Sequence, residues 1–433
     1  MKIDLGFGNG VQTVNVPDAA LMGILVPNDM AHELVDEEEV ARALASPIGT
    51  PRLRDIVRRG EKIAIVTSDT SRPMPTWRVM PALLDELRAG GCAQEDVSLI
   101  FALGCHRSQT QEEMRKLAGE RAWAEIACFD SGTAGHVSFG RTSRGTPVDI
   151  DRRVAEADRR ICLGNIEFHY FAGYSGGAKA IMPGCSTREA IQHDHSMMVR
   201  PEACAGRLEG NPVREDIEEA AALVGVDFIL NVVLDEHKRI VRAVAGGVTE
   251  AHREGCRYLD RMYLKEIGAR ADIVIASQGG APKDRDLYQT QKALDNAKHA
   301  VRPGGAIVLI GSCKEGLGEA TFEEWMLSAP SPASLIERVE RDFQLGGHKA
   351  AAIAMVLKDA AVYLVSDLED GFVERLFLTP ARSAQAALDA AFGRLGRDAK
   401  VLVMPYAGST LPRVQRRAAQ LPALNAINQR PGP

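Results

Sequence analysis

From residue 61 onward the chain alternates short aliphatic runs with segments whose apolar positions recur every three or four residues. EKIAIVTSD (61–69), DVSLIFALG (96–104) and RRICLGNIE (159–167) read as buried strands, short and rich in β-branched side chains. MPTWRVMPALLDELRAGG reads as a helix closed by Gly90 and Gly91, and TQEEMRKLAG as one opened by a capping box, Thr110 with Glu113 three residues on. The alternation of strand and helix implies an α/β fold with a mainly parallel sheet covered by helices.

Other stretches bend this pattern. MKIDLGFGNGVQTVNVPD reads as two short strands about a turn at Gly8–Gly10; a dinucleotide loop would need another glycine three residues on and a helix after it. ELVDEEEVARALASPI reads as a helix with an acidic first turn. VDFILNVVLDEHKRIVRAVAGG reads as a hairpin turning at Asp235–Lys238, and a helix is expected from Val248 to about Gly268. A second series starts at Ala271: strand ADIVIASQGG, helix DLYQTQKALDNAKHAV, strand GGAIVLIGSC, a helix from Pro332, then strands in AVYLVSD and KVLVMPYAG. Two α/β domains are therefore expected, 1–270 and 271–433, with the active site in the cleft between them and a polar, fraying end at Asn425–Pro433 that could pack back on the first domain.

Composition narrows the function. A net charge of −6 with no basic stripe speaks against nucleic acid, and no apolar run approaches the ~20 residues of a membrane span. The start lacks the basic and apolar regions of a signal peptide, and the eight cysteines form no C-x-x-C pair. Reduced thiols in a cytoplasmic protein are expected.

Candidate chemistry gathers where strands end, which is where open α/β sheets bind ligands. The first strand of the 61–167 series runs into Asp69, Ser71 and Arg72, the next into Cys105 and His106, and the third into IEFHYFAGYSGGAKAIMPG. The strand at 271 leads through Gln278-Gly279-Gly280 to Tyr288, Gln289 and Lys292. Any one of these is ordinary loop polarity, but cationic groups recurring in both halves suit an anionic substrate. Lys179, between Gly176-Gly177 and an apolar run, has the setting of a lysine with a lowered pKa and nucleophilic character. The loop is not a Walker A sequence, and His193 and His195 in QHDHSM are a weak metal signal alone.

Taken together, SDTSRP, ALGCHR, HYFAGYSGGAKAIMPG, HDH and LYQTQK, in this order, resemble the nickel-dependent lactate racemase family. The resemblance implies a nickel-pincer nucleotide, a pyridinium-3-thioamide-5-thiocarboxylic acid mononucleotide with nickel, attached covalently at Lys179. It implies His195 as the protein's nickel ligand, a choice over His193 that the residues alone leave open. It implies His106 and His169 as the two bases of a racemase or epimerase, in which a 2-hydroxy acid loses its C2 hydride to the cofactor, becomes a 2-keto acid and takes the hydride back on the other face. Arg72 and Lys292, with Tyr288 and Gln289 beside them, are then expected on the substrate carboxylate. Ser175, Gly176 and Gly177 are expected under the nucleotide phosphate, and Asp69 near the cofactor.

Lactate is the default substrate, because the shared motifs read only the HO–C–COO⁻ unit; a larger hydroxy acid or sugar acid is the alternative. A cofactor-handling homologue without activity would have lost His106 or His169, and both are present. An ordinary nicotinamide dehydrogenase would need a G-x-G-x-x-G turn, which ASQGGAPKD and IGSCKEG do not supply. The expected partners are the small acid and the enzymes that make the cofactor. Ser71 and Cys105 where threonine is usual, and Tyr170 for phenylalanine, are departures that bear on substrate fit.

Overall fold

The computed structural model describes residues 1–415. The expected fraying end at 425–433 lies outside them. Two six-stranded sheets organise the chain.

In the first sheet the strands run Ile240–Gly246, Phe228–Leu234, Arg159–Asn165, Ile63–Ser68, Val97–Ala102 and Ala127–Asp130 from edge to edge. All neighbours are parallel except the Phe228–Leu234 and Ile240–Gly246 pair, which is the expected hairpin. Ile63–Val66 and Ile161–Leu163 are buried on both faces, which is why these strands read as unbroken apolar runs instead of alternating ones. From Ile63–Ser68 the chain builds outward to one side through Val97 and Ala127. It then returns to Arg159–Asn165 on the other side. The reversal opens a crevice above the carboxyl ends of Ile63–Ser68 and Arg159–Asn165, the usual ligand position in such sheets.

The second sheet is wholly parallel, in the order Thr379–Ala381, Ala361–Val365, Val301–Ile310, Ala271–Ser277, Val401–Met404 and Leu21–Ile24. Its last strand comes from the start of the chain. The hairpin Lys2–Phe7/Gly10–Asn15 also packs on this sheet, with Leu5 and Val14 in one core with Ile275 and Val403. Gly6 is required there, since a Cβ would stand 2.5 Å from the Gly279 carbonyl carbon.

Thr110 and Glu113 form the expected capping box at the start of Gln111–Ala118. The helix expected over Val248–Gly268 is shorter, Glu250–Tyr263. The chain then extends as Leu264–Ile267, because the edge of Leu411–Val414 offers it a parallel partner. Helices Arg188–Ser196 and Pro212–Val224 were not anticipated. Each buries polar residues, Asp216 on Thr142 and Thr146, Arg214 on the Ala172 and Tyr174 carbonyls and Asp194 on His195, which weakens the apolar stripe that would announce them.

Candidate active site

The cleft is lined from the first half by Asp69, Arg72, Cys105, His106, Asn165, His169, Phe171, Ser175, Gly176, Lys179 and His195. Phe343, Leu345 and His348 close it from the second half.

Asp69 is the first residue past Ile63–Ser68 and is buried. Its Oδ2 lies 2.6 Å from His106 Nδ1, and its Oδ1 accepts the Ser71 hydroxyl at 2.6 Å. Burial opposes the charge on Asp69, yet the bonds from His106 and Ser71 hold its carboxyl below the usual range. A carboxylate on Nδ1 keeps that proton in place and leaves Nε2 of a neutral His106 as the basic nitrogen.

His169 sits in a two-residue strand, Phe168–His169, paired with Gly173–Tyr174. The turn between them needs Gly173, at φ +77°, where a Cβ would run into the Arg207 carbonyl. The Ala172 N–H donates to His169 Nδ1 at 3.2 Å, so the neutral ring carries its proton on Nε2. That nitrogen is 3.4 Å from Lys179 Nζ. Burial, followed by the charges of Lys179 and Arg72, keeps His169 well below the ordinary histidine pKa. Burial, with repulsion from Arg214 and Arg72, does the same to Lys179. Burial thus disfavours the ammonium form of Lys179, the direction its apolar surroundings suggested.

The loop beneath Lys179 is tied down by residues that carry no motif. Arg214, fully buried, donates to the carbonyls of Ala172 and Tyr174. Asn211 Nδ2 donates to Phe171 O at 2.8 Å, and His252 Nε2 to Ser175 O at 2.8 Å. The amides expected to face a phosphate are largely engaged: Gly177 N–H donates to Asn231 Oδ1 at 2.6 Å and Ser175 N–H to Glu167 O at 2.9 Å. The glycines serve close packing. A Cβ on Gly176 would stand 2.7 Å from Asn231 Oδ1, and one on Gly177 2.9 Å from the His252 ring. Among the residues lining the cleft, Asn165 carries a buried donor, Nδ2, without a partner.

His193 and His195 are two residues apart on one helix, Arg188–Ser196, so they point to opposite faces. His193 turns outward to Thr146 Oγ1 at 2.8 Å. His195 turns into the cleft, edge-on to Phe171 and Phe343, each about 4.9 Å between centroids. Its Nδ1 donates to Asp194 Oδ2 at 2.6 Å, leaving Nε2 as a lone-pair donor. Burial pushes Asp194 up to about 7, against the pull of Lys179 and of a hydrogen bond with Asp216. Asp216 in turn accepts the hydroxyls of Thr142 and Thr146 at 2.5 Å. Among the described residues no cluster of three or more His, Cys, Asp or Glu side chains could hold a metal by itself.

Tyr288, Gln289 and Lys292 stand at the start of Leu287–Ala297, capped by Asp286, and do not line this cavity. Arg72 links the two regions, since its charge reaches His169, Tyr288 and Lys292. Lys292 is exposed, yet partial desolvation, with the charges of Arg72 and Lys238 nearby, lowers its pKa.

Sequence profiles of the lactate racemase N-terminal and C-terminal domains match residues 7–206 and 267–411. The chain belongs to the lactate racemase family. This is a family of isomerases. The lactate racemase of Thermoanaerobacterium thermosaccharolyticum is 33% identical over 95% of this chain and 99% of its own length. That of Lactiplantibacillus plantarum is 31% identical over 94% and 98%. The solved apoprotein of the Thermoanaerobacterium racemase superposes with a TM-score of 0.85 at 32% identity, covering 95% of this chain and all of that one. A Thermotoga maritima protein shares the fold at 17% identity and a TM-score of 0.60. Against this racemase background, Asn165, Arg214, Asn231, His252, Phe343 and His348 are the site residues that sequence reasoning missed. Asn165 and Asn231 sit inside largely apolar strands, which was the available signal for those two.

Proposed function

We propose that this chain racemises or epimerises a 2-hydroxy acid, with lactate the first substrate to test. One observation carries the reading: His106 and His169, from separate strand ends, line a single cleft with Arg72, Lys179 and His195. Inverting C2 moves the hydroxyl across the substrate, so each enantiomer needs its own base. His106 Nε2, held by Asp69, takes or returns the hydroxyl proton on one side, and His169 Nε2 does so on the other once its ring proton has moved to Nδ1 at the cost of the Ala172 N–H contact. Arg72, exposed at the cleft mouth, gives the substrate carboxylate a planar two-donor fork, while Lys292 stands outside the cavity lining.

The residues fit a covalently held nickel-pincer nucleotide. Burial disfavours the charged form of Lys179, which favours attachment at Nζ, and His195 offers one free imidazole nitrogen backed by Asp194. Asn165, whose Nδ2 has no partner, lines the same cavity. When bound, that nucleotide would supply the acceptor for the C2 hydride. Attachment at Nζ would change the group that stands 3.4 Å from His169 Nε2. Phe171 and Phe343 shield the centre from water.

Activation by separate cofactor-synthesis enzymes and a cytoplasmic location belong to the same reading. The latter is supported by eight unpaired cysteines; among the described residues, no helix is long and apolar enough to cross a membrane. Mass spectrometry of active protein made alongside those enzymes tests the attachment. The Lys179 peptide is expected to carry the adduct; an unmodified peptide from active enzyme would sink the claim.

A further inference from the structure

The cleft wall supplied by the second half of the chain is apolar except for one group. Phe343 and Leu345 are hydrocarbon, and His348 is 7% exposed on the first turn of Gly347–Leu357. His348 Nδ1 accepts the Gly346 N–H at 3.0 Å. A neutral imidazole that accepts at Nδ1 carries its proton on Nε2. Burial favours the neutral ring, and Lys349, His195 and Arg72 favour it further. The ring is stacked on Tyr170 at 6.0 Å and leans on Phe343 at 5.3 Å between centroids, which fixes its plane. With Nδ1 turned back on its own helix start, Nε2–H is the polar edge left for the cleft.

A bare methyl group has no use for that donor. A site that places an N–H against a methyl forfeits a hydrogen bond, whereas one that meets an oxygen discriminates strongly for it. Lys349, beside His348, is buried and committed elsewhere, donating to Tyr288 O at 2.5 Å and lying 3.7 Å from the centre of the Tyr288 ring, outside the cavity lining, so His348 is the donor this wall presents. We propose that His348 reads an oxygen carried on the substrate's C3, so that the preferred 2-hydroxy acids bear a hydroxyl or a carboxylate there in place of the bare methyl of lactate. This narrows the racemase reading and rests on it.

The test is calorimetric binding of four acids to the cofactor-loaded protein: lactate and 2-hydroxybutyrate, with no acceptor on C3, and glycerate and malate, with one. The wild type is expected to bind glycerate or malate about tenfold or more tighter than either apolar acid, the scale of one well-made polar contact. His348→Phe should bring that ratio to within about twofold, and His348→Gln, which keeps an N–H donor, should hold most of it. Tighter malate identifies a carboxylate, and tighter glycerate a hydroxyl. A wild-type ratio near one, an unchanged ratio in His348→Phe, or no binding of any of the four overturns the proposal. Optical rotation of the same acids separates the two readings. A binding preference without loss of optical purity leaves His348 its role and removes the racemase. Racemisation of lactate with no preference removes the His348 proposal alone.

Discussion

At the scale of single residues, the Asp69–His106 pair bears most directly on the proposed chemistry. The carboxylate sets which imidazole nitrogen is free, so its loss should act on the reaction more than on the fold. Asp69→Asn is expected to lower racemisation by about 10²-fold or more, the range for disturbing a positioned base, with melting temperature little changed. Activity within a fewfold of wild type would remove Asp69 as the orienting group. A second residue-scale effect lies away from the cleft. Burial, with Lys298 and Arg270 close by, pushes His299 down to about 3. The folded protein therefore holds it neutral while the unfolded chain protonates it below about 6.5. Its contribution to stability is complete above the unfolded pKa and is lost as pH falls from there toward the folded one. Between pH 6.5 and 5.5 the wild type should lose about 1 kcal/mol relative to His299→Gln in denaturant melts. Parallel curves for the two proteins would contradict the buried neutral ring.

At the scale of elements, helix Arg188–Ser196 separates two histidines that the sequence presents as near equals. The 100° advance per residue sends His195 to the cleft and His193 to Thr146. Nickel measured in cofactor-loaded protein should collapse in His195→Ala and persist in His193→Ala; the reverse would mean that the wrong face carries the ligand. The helix itself was not legible, because half of its inward face, Ala190, Ile191, Asp194 and His195, is polar. The buried strands were legible because their runs are apolar on both faces, and the capping box of Thr110 because its two partners are three residues apart. The loop that bears Lys179 was legible as a glycine-rich turn. What its glycines do was not: Gly177 packs on His252, some 75 residues further along, and local sequence carries no trace of that contact.

At the scale of the whole molecule, the cleft exists because the first sheet reverses its direction of growth at Ile63–Ser68 and the second half of the chain closes over that point. The alternation of strands and helices announced both sheets. It did not announce that Leu21–Ile24 and the hairpin before it join the second one, since a parallel pairing across some 380 residues leaves no local signature. The wall built by Phe343 and His348 was hidden for the same reason: DFQLGGHKAA contains nothing that points to a cleft lined by His106 and His169. The central claim is that two histidines interconvert the enantiomers of a 2-hydroxy acid while its C2 hydrogen stays out of exchange with water. Single-enantiomer lactate deuterated at C2, incubated in ordinary water with cofactor-loaded enzyme, tests this most directly. The account predicts racemic lactate that keeps its deuterium with the wild type, and unchanged optical purity with His106→Ala and with His169→Ala. Racemisation with the label lost to water, or full activity in either variant, would contradict it.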